Sequence, residues 1–560
     1  MTSRNVLLLF VLIFVSTACA SQEPLSFQEI SRIAAGAAAE EDARLGPRPE
    51  GCTCIMVGRS ASADGSVITS HTCDGRYRTW MQITSGKKYT EEGAMAPIYT
   101  GRMKTEFPTD EQGVSELGAI PQAGETYGIL DTAYPCMNEH QLAMGESTFG
   151  GRDELKSDEG MFYIEELQRI ALERTRTARD AIRLMGSLAA EYGYIDSGEC
   201  LAVADPKEVW HFEIQGPGQG RVGAVWAAVR IPDDHVGIAA NISRISEIDL
   251  DNPDCYMASE NVFSLAEEMG WWKADGNEPF KFWKAYSDVK PFRIREYWVL
   301  SKVAPSLNLD FVNAEELPLS VKAEAPVSVQ DVFDFFRETY EGTEFALNCN
   351  LLVEKQETKP KDEGAKEGEE AKKEMEVCIY AHPWMSGSQQ EMFNNLKPDT
   401  VTFHRPIAVM FNAYHTVIQC RDWLPDAVGG ICWLGFDNPA ATPRVPIFAG
   451  MKDLPPDYKM DSHKRYRTDS ASWAFRRAAR LACFRWGKNK EMMQEKARKI
   501  EEQALTDLPG IEQRFLTLMA EDPEAALDYI TRYTITLCCS VTHQYWQLGD
   551  ELWMDYLYRL

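Results

Sequence analysis

The sequence predicts an α+β protein in which antiparallel sheets pack together and helices lie outside them. Three observations carry that prediction. Residues 52–73 and 200–243 are dense in short apolar strand-like segments separated by turn residues. Helical periodicity is concentrated in residues 160–193 and in the region after about Ser470. The strands of residues 200–243 follow one another through Asp-Pro, Gly-Pro-Gly and Pro-Asp-Asp turns, which reads as an antiparallel meander and not as a repeated βαβ pattern.

The elements follow in chain order. Arg4, the apolar run "VLLLFVLIFV" and "ACA" at Ala18–Ala20 form an export signal, too short to remain as a membrane span and cut after Ala20. Lipoprotein processing at Cys19 is the rival, disfavoured by Ser16. Residues 21–51 are an Ala-rich spacer ending in Pro and Gly, with little to bury. From Cys52 onward, "TCIMVG" and "SVITSHT" flank "RSASADG", a hairpin turning at Asp64-Gly65. Alternation puts Cys52, Cys54 and Met56 on one face and Thr53, Ile55 and Val57 on the other; both faces are mostly apolar, as in a strand covered on both sides. Residues 160–193 form two helices, the second capped by Thr177 and ending at Gly193. "CLAVADP", "EVWHFEIQG", "GAVWAAVRIP" and "HVGIAANIS" are the meander. Residues 354–377 are charged and of low complexity, a solvated surface insertion. "TFHRPIAVMF", "HTVIQC" and "GGICWLGF" then read as strands before the final helices. The organisation is a signal peptide (1–20), a propeptide or spacer (21–51) and one catalytic body (52–560).

The 560-residue chain carries a formal charge of -27, which repels nucleic acid and anionic lipid and argues against both as partners. No later stretch reads as a membrane span. Fourteen cysteines in an exported chain permit disulfides, but their spacing is not that of a small disulfide scaffold.

Three of those cysteines fall in "EGCTCIMVGRSASADGSVITSHTCDG", starting at Glu50. Three chemistries fit. Cys52, Cys54, His71 and Cys73 make C-x-C…H-x-C, formally a zinc set, although both chelating pairs are tighter than the usual spacings. Cys54 and Cys73 also suit a structural role, as small buried hydrophobes or a cross-strand disulfide. Finally, a cysteine freed as a new amino terminus supplies its own base. A thiol titrates near ~8.5 and an α-amine near ~7.7–8.0, so the amine can take the thiol proton without a partner histidine.

"CTCIMVGRSASADGSVITSHTCDGRYRTW" resembles the start of the C69 family of cysteine dipeptidases, which are amino-terminal-nucleophile hydrolases. The likeness continues in "MNEHQLAMGESTFGGR", "TARDAIRLMGSLAAEYGY", "ADPKEVWHFEI", "VRIPDDHVGIAANISRISEID" and, more weakly, "DSASWAFRRAARLA". It implies a four-layer αββα sandwich, here with extra C-terminal helices, and hydrolysis of dipeptides with broad side-chain tolerance and no metal or other cofactor. By the same resemblance Cys52 is the nucleophile, exposed by cleavage of Gly51-Cys52, and Asp74 orients its thiol or amine. Asn138 and Asn241 are candidate oxyanion donors. The family's arginine near the nucleophile has no match in "SHT", which leaves Arg76, Arg78 and Arg244 as candidates and His71 as a substrate contact. Glu213 could bind a substrate amine, although a paired structural glutamate weighs more. Homo-oligomerisation is left open. The alternatives are an amidase, acylase or aminoacyl transferase of the same fold, an inactive binding relative, and a zinc-stabilised binding protein.

Overall fold

The computed structural model describes residues 51–354 and 375–558. The export signal, nearly all of the spacer and the charged stretch 355–374 lie outside the described residues.

Two larger sheets organise the body. Numbered along the chain, their strands are β1 (Gly51–Val57), β2 (Val67–Asp74), β3 (Gln82–Thr84), β4 (Ile129–Asp131), β5 (Met137–Asn138), β6 (Ala143–Gly150), β7 (Gly198–Ala204), β8 (Val209–Gln215), β9 (Val225–Ile231), β10 (His235–Ala239), β11 (Tyr256–Ala258), β12 (Ser320–Lys322), β13 (Asn412–Cys420), β14 (Ile431–Phe436) and β15 (Val445–Phe448). One sheet runs β12-β10-β1-β2-β13-β14-β15 and the other β11-β9-β8-β7-β6-β5-β4-β3. Every pairing within them is antiparallel. The mixed, antiparallel-sheet class agrees with the sequence prediction.

The expected hairpin forms. β1 pairs with β2 so that Cys52 faces Cys73 and Thr53 faces Thr72. Every residue of both strands is buried, as the two apolar faces require. The Asp64 carboxylate accepts from Ser66 N–H at 3.0 Å and Ser62 Oγ at 2.7 Å, closing the turn ahead of Gly65.

The helices α1 (Ile164–Arg174) and α2 (Ala178–Tyr192) fall where periodicity put them. Thr177 Oγ1 caps α2 through the Asp180 N–H, and Gly193 ends it at a φ of 82°. Three further helices close the chain, and α3 (Ile294–Val303) precedes them. They are α4 (Ala471–Cys483), α5 (Trp486–Glu521) and α6 (Pro523–Leu557). One continuous apolar core joins both sheets with these helices. No helix among the described residues is long and apolar enough to cross a membrane.

Two expectations are corrected. The four-strand meander holds only for β7, β8 and β9; β10 leaves that sheet and pairs with β1. The free edge of β9 is taken by β11, and β10 instead completes the sheet that carries Cys52. "TFHRPIAVMF" is irregular, not a strand, over residues 402–411. Pro406 has no N–H to give a ladder, and Arg405 is committed to the hairpin, as described next. At the charged insertion, Leu352–Glu354 and Met375–Val377 pair as a two-stranded antiparallel rim.

Candidate active site

The approach of the two sheets at β6 builds the site. Gly145 has no Cβ, and one placed there would meet the Ser70 carbonyl oxygen of β2 at 2.3 Å. This close passage lets the next residue, Glu146, reach across to β1. Glu146 Oε2 accepts from Cys52 Sγ at 3.3 Å, and Cys54 Sγ donates to the Glu146 carbonyl at 2.9 Å. His71 Nε2 lies 3.5 Å from the same Oε2. Tyr134 and Tyr414 hold the imidazole edge-on, at ring-centre distances of 5.5 and 5.6 Å.

On the other side of Cys52 the backbone is held by side chains. Its N–H donates to Asn241 Oδ1 at 2.9 Å. Asn241 follows β10 in the left-handed region, with φ 59°, a conformation that Asn tolerates better than most residues. Its own N–H donates to Ser147 Oγ and its Nδ2 to the Thr148 carbonyl, each at 2.8 Å, which turns Oδ1 toward Cys52. Arg295 of α3 and Arg405 donate to that same Oδ1 at 2.9 and 3.0 Å. Arg295 also donates to the Cys52 carbonyl at 2.9 Å. Arg405 Nη2 reaches the Gly51 carbonyl at 3.3 Å and Asp74 Oδ2 at 3.0 Å, while Asn412 Nδ2 donates to Asp74 Oδ1 at 2.8 Å. The carbonyl of the Gly51-Cys52 bond therefore faces a guanidinium. A Cβ at Gly51 would meet Arg405 Nη1 and Asn241 Oδ1 at 2.2 Å, so the position before Cys52 accepts only glycine without rearrangement.

The electrostatics follow from burial. The Cys52 thiol is pushed well above its ordinary value by desolvation, by the Cys73 thiol beside it and by the Glu146 charge, with His71 opposing. Burial works against a charge on His71, but Cys52 and Glu146 outweigh it and raise the imidazole to about 9. Glu146 sits below the usual carboxylate range because His71 and its hydrogen-bond partners outweigh its own burial. Asp74 is raised, its desolvation exceeding the pull of Arg405. Arg295 falls to about 10 through burial and repulsion from Arg405.

Of the sequence-derived residues, the structure gathers Cys52, Asp74, Asn241 and His71. It places the others elsewhere. The Asn138 amide spans His140 N–H, Leu142 N–H and the carbonyls of Leu172 and Thr175, tying a turn to the end of α1. Glu213 accepts from His211, Ser243 and the N–H groups of Arg244 and Ile245, the structural pairing the sequence favoured. The Arg244 guanidinium is spent on the Pro291 and Pro318 carbonyls. Arg78 binds Asp131 and the Thr132 carbonyl, and Arg76 is exposed. Asn241 itself is placed as an acceptor for the Cys52 N–H, because its amide donor is already used.

Sequence reasoning missed Glu146, Arg295, Arg405 and Asn412. Glu146 lay within a quoted stretch, "MGESTFGG", where a glutamate follows a glycine at a strand centre. Arg405, directly before a proline in a segment that read as a strand, was a weaker signal; Arg295 left none in an ordinary helix. Two groups among the described residues could gather a metal ion, Cys52–His71–Glu146 and Cys200–His211–Glu213, their ligand atoms within 4.8 Å of one another. Only Cys52 and His71 of the expected C-x-C…H-x-C set belong to the first. Among the described residues every cysteine is a free thiol.

The sequence model of peptidase family C69 matches residues 51–499, beginning one residue before Cys52. A probable dipeptidase of Latilactobacillus sakei is 24% identical over 516 residues, covering 88% of this chain and 95% of that protein. A probable dipeptidase of Salmonella dublin is 24% identical over 425 residues, 72% of this chain and 82% of its own length. A dipeptidase of Bifidobacterium longum is 24% identical over 467 residues, 77% and 76% of the two chains. A match over most of the chain, starting one residue before the buried Cys52, makes this protein a member of peptidase family C69 and a hydrolase of peptide bonds.

Proposed function

We propose that the protein is an exported dipeptidase of broad specificity, with the four-layer αββα sandwich of the amino-terminal-nucleophile hydrolases, activated by cutting its own Gly51-Cys52 bond. The observation that carries this reading is the placement of that bond: Cys52 Sγ is buried beside it, its N–H is held by Asn241, and its carbonyl faces Arg405. In the activating step Sγ attacks the Gly51 carbonyl carbon, the C–N bond breaks, and the acyl group passes to sulfur while the Cys52 nitrogen becomes an amine. Water then releases the leader as a carboxylic acid.

In turnover the freed amine takes the thiol proton, and Sγ attacks the dipeptide carbonyl. The tetrahedral oxyanion collects at donors such as the Arg405 guanidinium. The amine returns its proton to the leaving amino group, and water hydrolyses the thioester with the amine again as base. The guanidiniums of Arg295 and Arg405 both donate to the Asn241 oxygen that holds this nitrogen, so the freed amine lies beside two fixed positive charges. This route needs no metal. The proximity of Cys52, His71 and Glu146 favours a second reading, in which the imidazole takes the thiol proton.

The test is the amino-terminal residue of protein recovered from its native compartment, together with dipeptide turnover. A start at Cys52 with turnover supports the proposal; an active protein starting at Ser21 sinks it. His71→Asn separates the two bases. The amine route survives that change with reduced rate, and the imidazole route does not.

A further inference from the structure

Two carboxyl groups meet beside the nucleophile, and the amine-based reaction above uses neither. Glu146 and Thr148 share a face of β6, being two residues apart, and Thr148 is the register partner of Glu199 on β7. Glu199 is therefore the diagonal neighbour of Glu146 on the face that looks toward Cys52. Both side chains are buried, and Glu146 Oε2 lies 3.3 Å from Cys52 Sγ. Thr148 Oγ1 satisfies Glu146 Oε1 at 3.0 Å. Glu199 Oε2 has no donor at all, and neither ring nitrogen of His71 completes a hydrogen bond. A buried carboxyl oxygen left without a donor beside a second carboxylate is costly. A compact cation with several N–H groups is the chemical partner that satisfies both.

A dipeptide brings such a cation to this place. Its α-ammonium nitrogen is two bonds, each about 1.5 Å long, from the scissile carbonyl carbon. When Sγ bonds that carbon, the ammonium falls within hydrogen-bond reach of a carboxylate lying against Sγ. We propose that Glu146 and Glu199 are the subsite for the substrate's free α-ammonium group, with Glu146 as the direct ion-pair partner. The proposal rests on the reading of Cys52 as the nucleophile. It assigns to Glu146 the amine-binding role that the sequence had offered to Glu213. An N-acylated substrate carries no such charge and leaves Glu199 Oε2 desolvated and without a donor, which is how a built polar site rejects an analogue.

The experiment measures kcat/KM of the wild type, Glu146→Gln and Glu199→Gln on Ala-Ala and on N-acetyl-Ala-Ala, with the rate of Cys52 alkylation by iodoacetamide as an amine-free reference. The quantity read is the preference for the free over the acetylated substrate. It is expected to fall about 100-fold in Glu146→Gln, the scale of losing one partner of a buried charge pair, and by a smaller factor in Glu199→Gln. Alkylation should change far less than Ala-Ala turnover. If both substrates and alkylation fall together and the preference is kept, Glu146 serves the thiol and the proposal is overturned. Should Glu146→Gln fail to fold, Glu199→Gln, which is isosteric with the neutral acid, decides by the same ratio: an unchanged preference overturns the subsite. A wild type whose Cys52 alkylates but which cleaves no dipeptide refutes the dipeptidase reading itself, an outcome distinct from failure of the subsite.

Discussion

Cys52 and Cys54 stand two residues apart on one face of β1, yet their surroundings separate them. Cys52 Sγ meets a carboxylate and an imidazole, whereas Cys54 Sγ is spent on a backbone carbonyl. Cys52→Ala is expected to keep the leader attached and show no turnover, while Cys54→Ala is cut and active; intact mass and a dipeptide assay read both. Gly51→Ala tests the residue before the cut. Its Cβ collides with two groups that are themselves tied down, Arg405 and Asn241. Misplacement of the carbonyl by about 1 Å should slow cleavage about 100-fold, seen as accumulation of uncut chain. His71 offers a pH signature. Its folded value, about 9, exceeds the ordinary value of 6.5, so its contribution to stability is complete below pH 6.5 and is lost as pH rises through 9. Urea midpoints from pH 6.5 to 9 should fall more steeply in the wild type than in His71→Asn, a difference of up to about 3 kcal/mol at pH 9. At this scale the sequence singled out Cys52 and Asp74, which the register of one local hairpin brings together. It also offered Asn138 and Arg244, which the structure places elsewhere, because polar residues at strand ends look alike until their partners are known.

At the scale of elements, the β1–β2 hairpin was legible because its turn chemistry and two-sided apolar pattern are local properties. The approach of β6 to it was not, since it depends on a missing Cβ in one strand opposite a carbonyl in another. Gly145→Ala is expected to force the strands apart, costing about 1–3 kcal/mol as other overpacked cores do. The same displacement should draw Glu146 away from Cys52. Denaturant midpoints and the alkylation rate of Cys52 would show the two effects together, and an unchanged midpoint would mean that the sheets have slack there. The route of β10 into the other sheet was equally hidden. Strand propensity says that a segment is extended, not which of two edges it joins.

For the whole molecule, the family match ends at residue 499, but the fold continues. Glu501, on α5 just beyond that limit, is fully buried between Arg337 at 2.5 Å and Arg444 at 3.2 Å. On α6, Tyr545 Oη donates to the Ala441 carbonyl and Thr534 Oγ1 to the Pro446 carbonyl, each at 3.0 Å. The terminal helices are thus part of the core around β14 and β15, not an appendage. Glu501→Ala leaves the buried Arg444 unpaired and Arg337 with Asp334 alone, and should cost about 3–5 kcal/mol, measured by urea unfolding. A loss below about 1 kcal/mol would show that water reaches the site and screens the pair.

The sequence by itself determined the fold class, the hairpin, the paired helices and the net negative charge. All of these are written in periodicity, turn residues and composition, which act over a few neighbouring positions. Tertiary structure alone decided that Glu146, Arg295 and Arg405, separated from Cys52 by 94, 243 and 353 positions, surround it. Such charges are tolerated in a core only where partners from distant strands satisfy them, and no local pattern encodes that pairing.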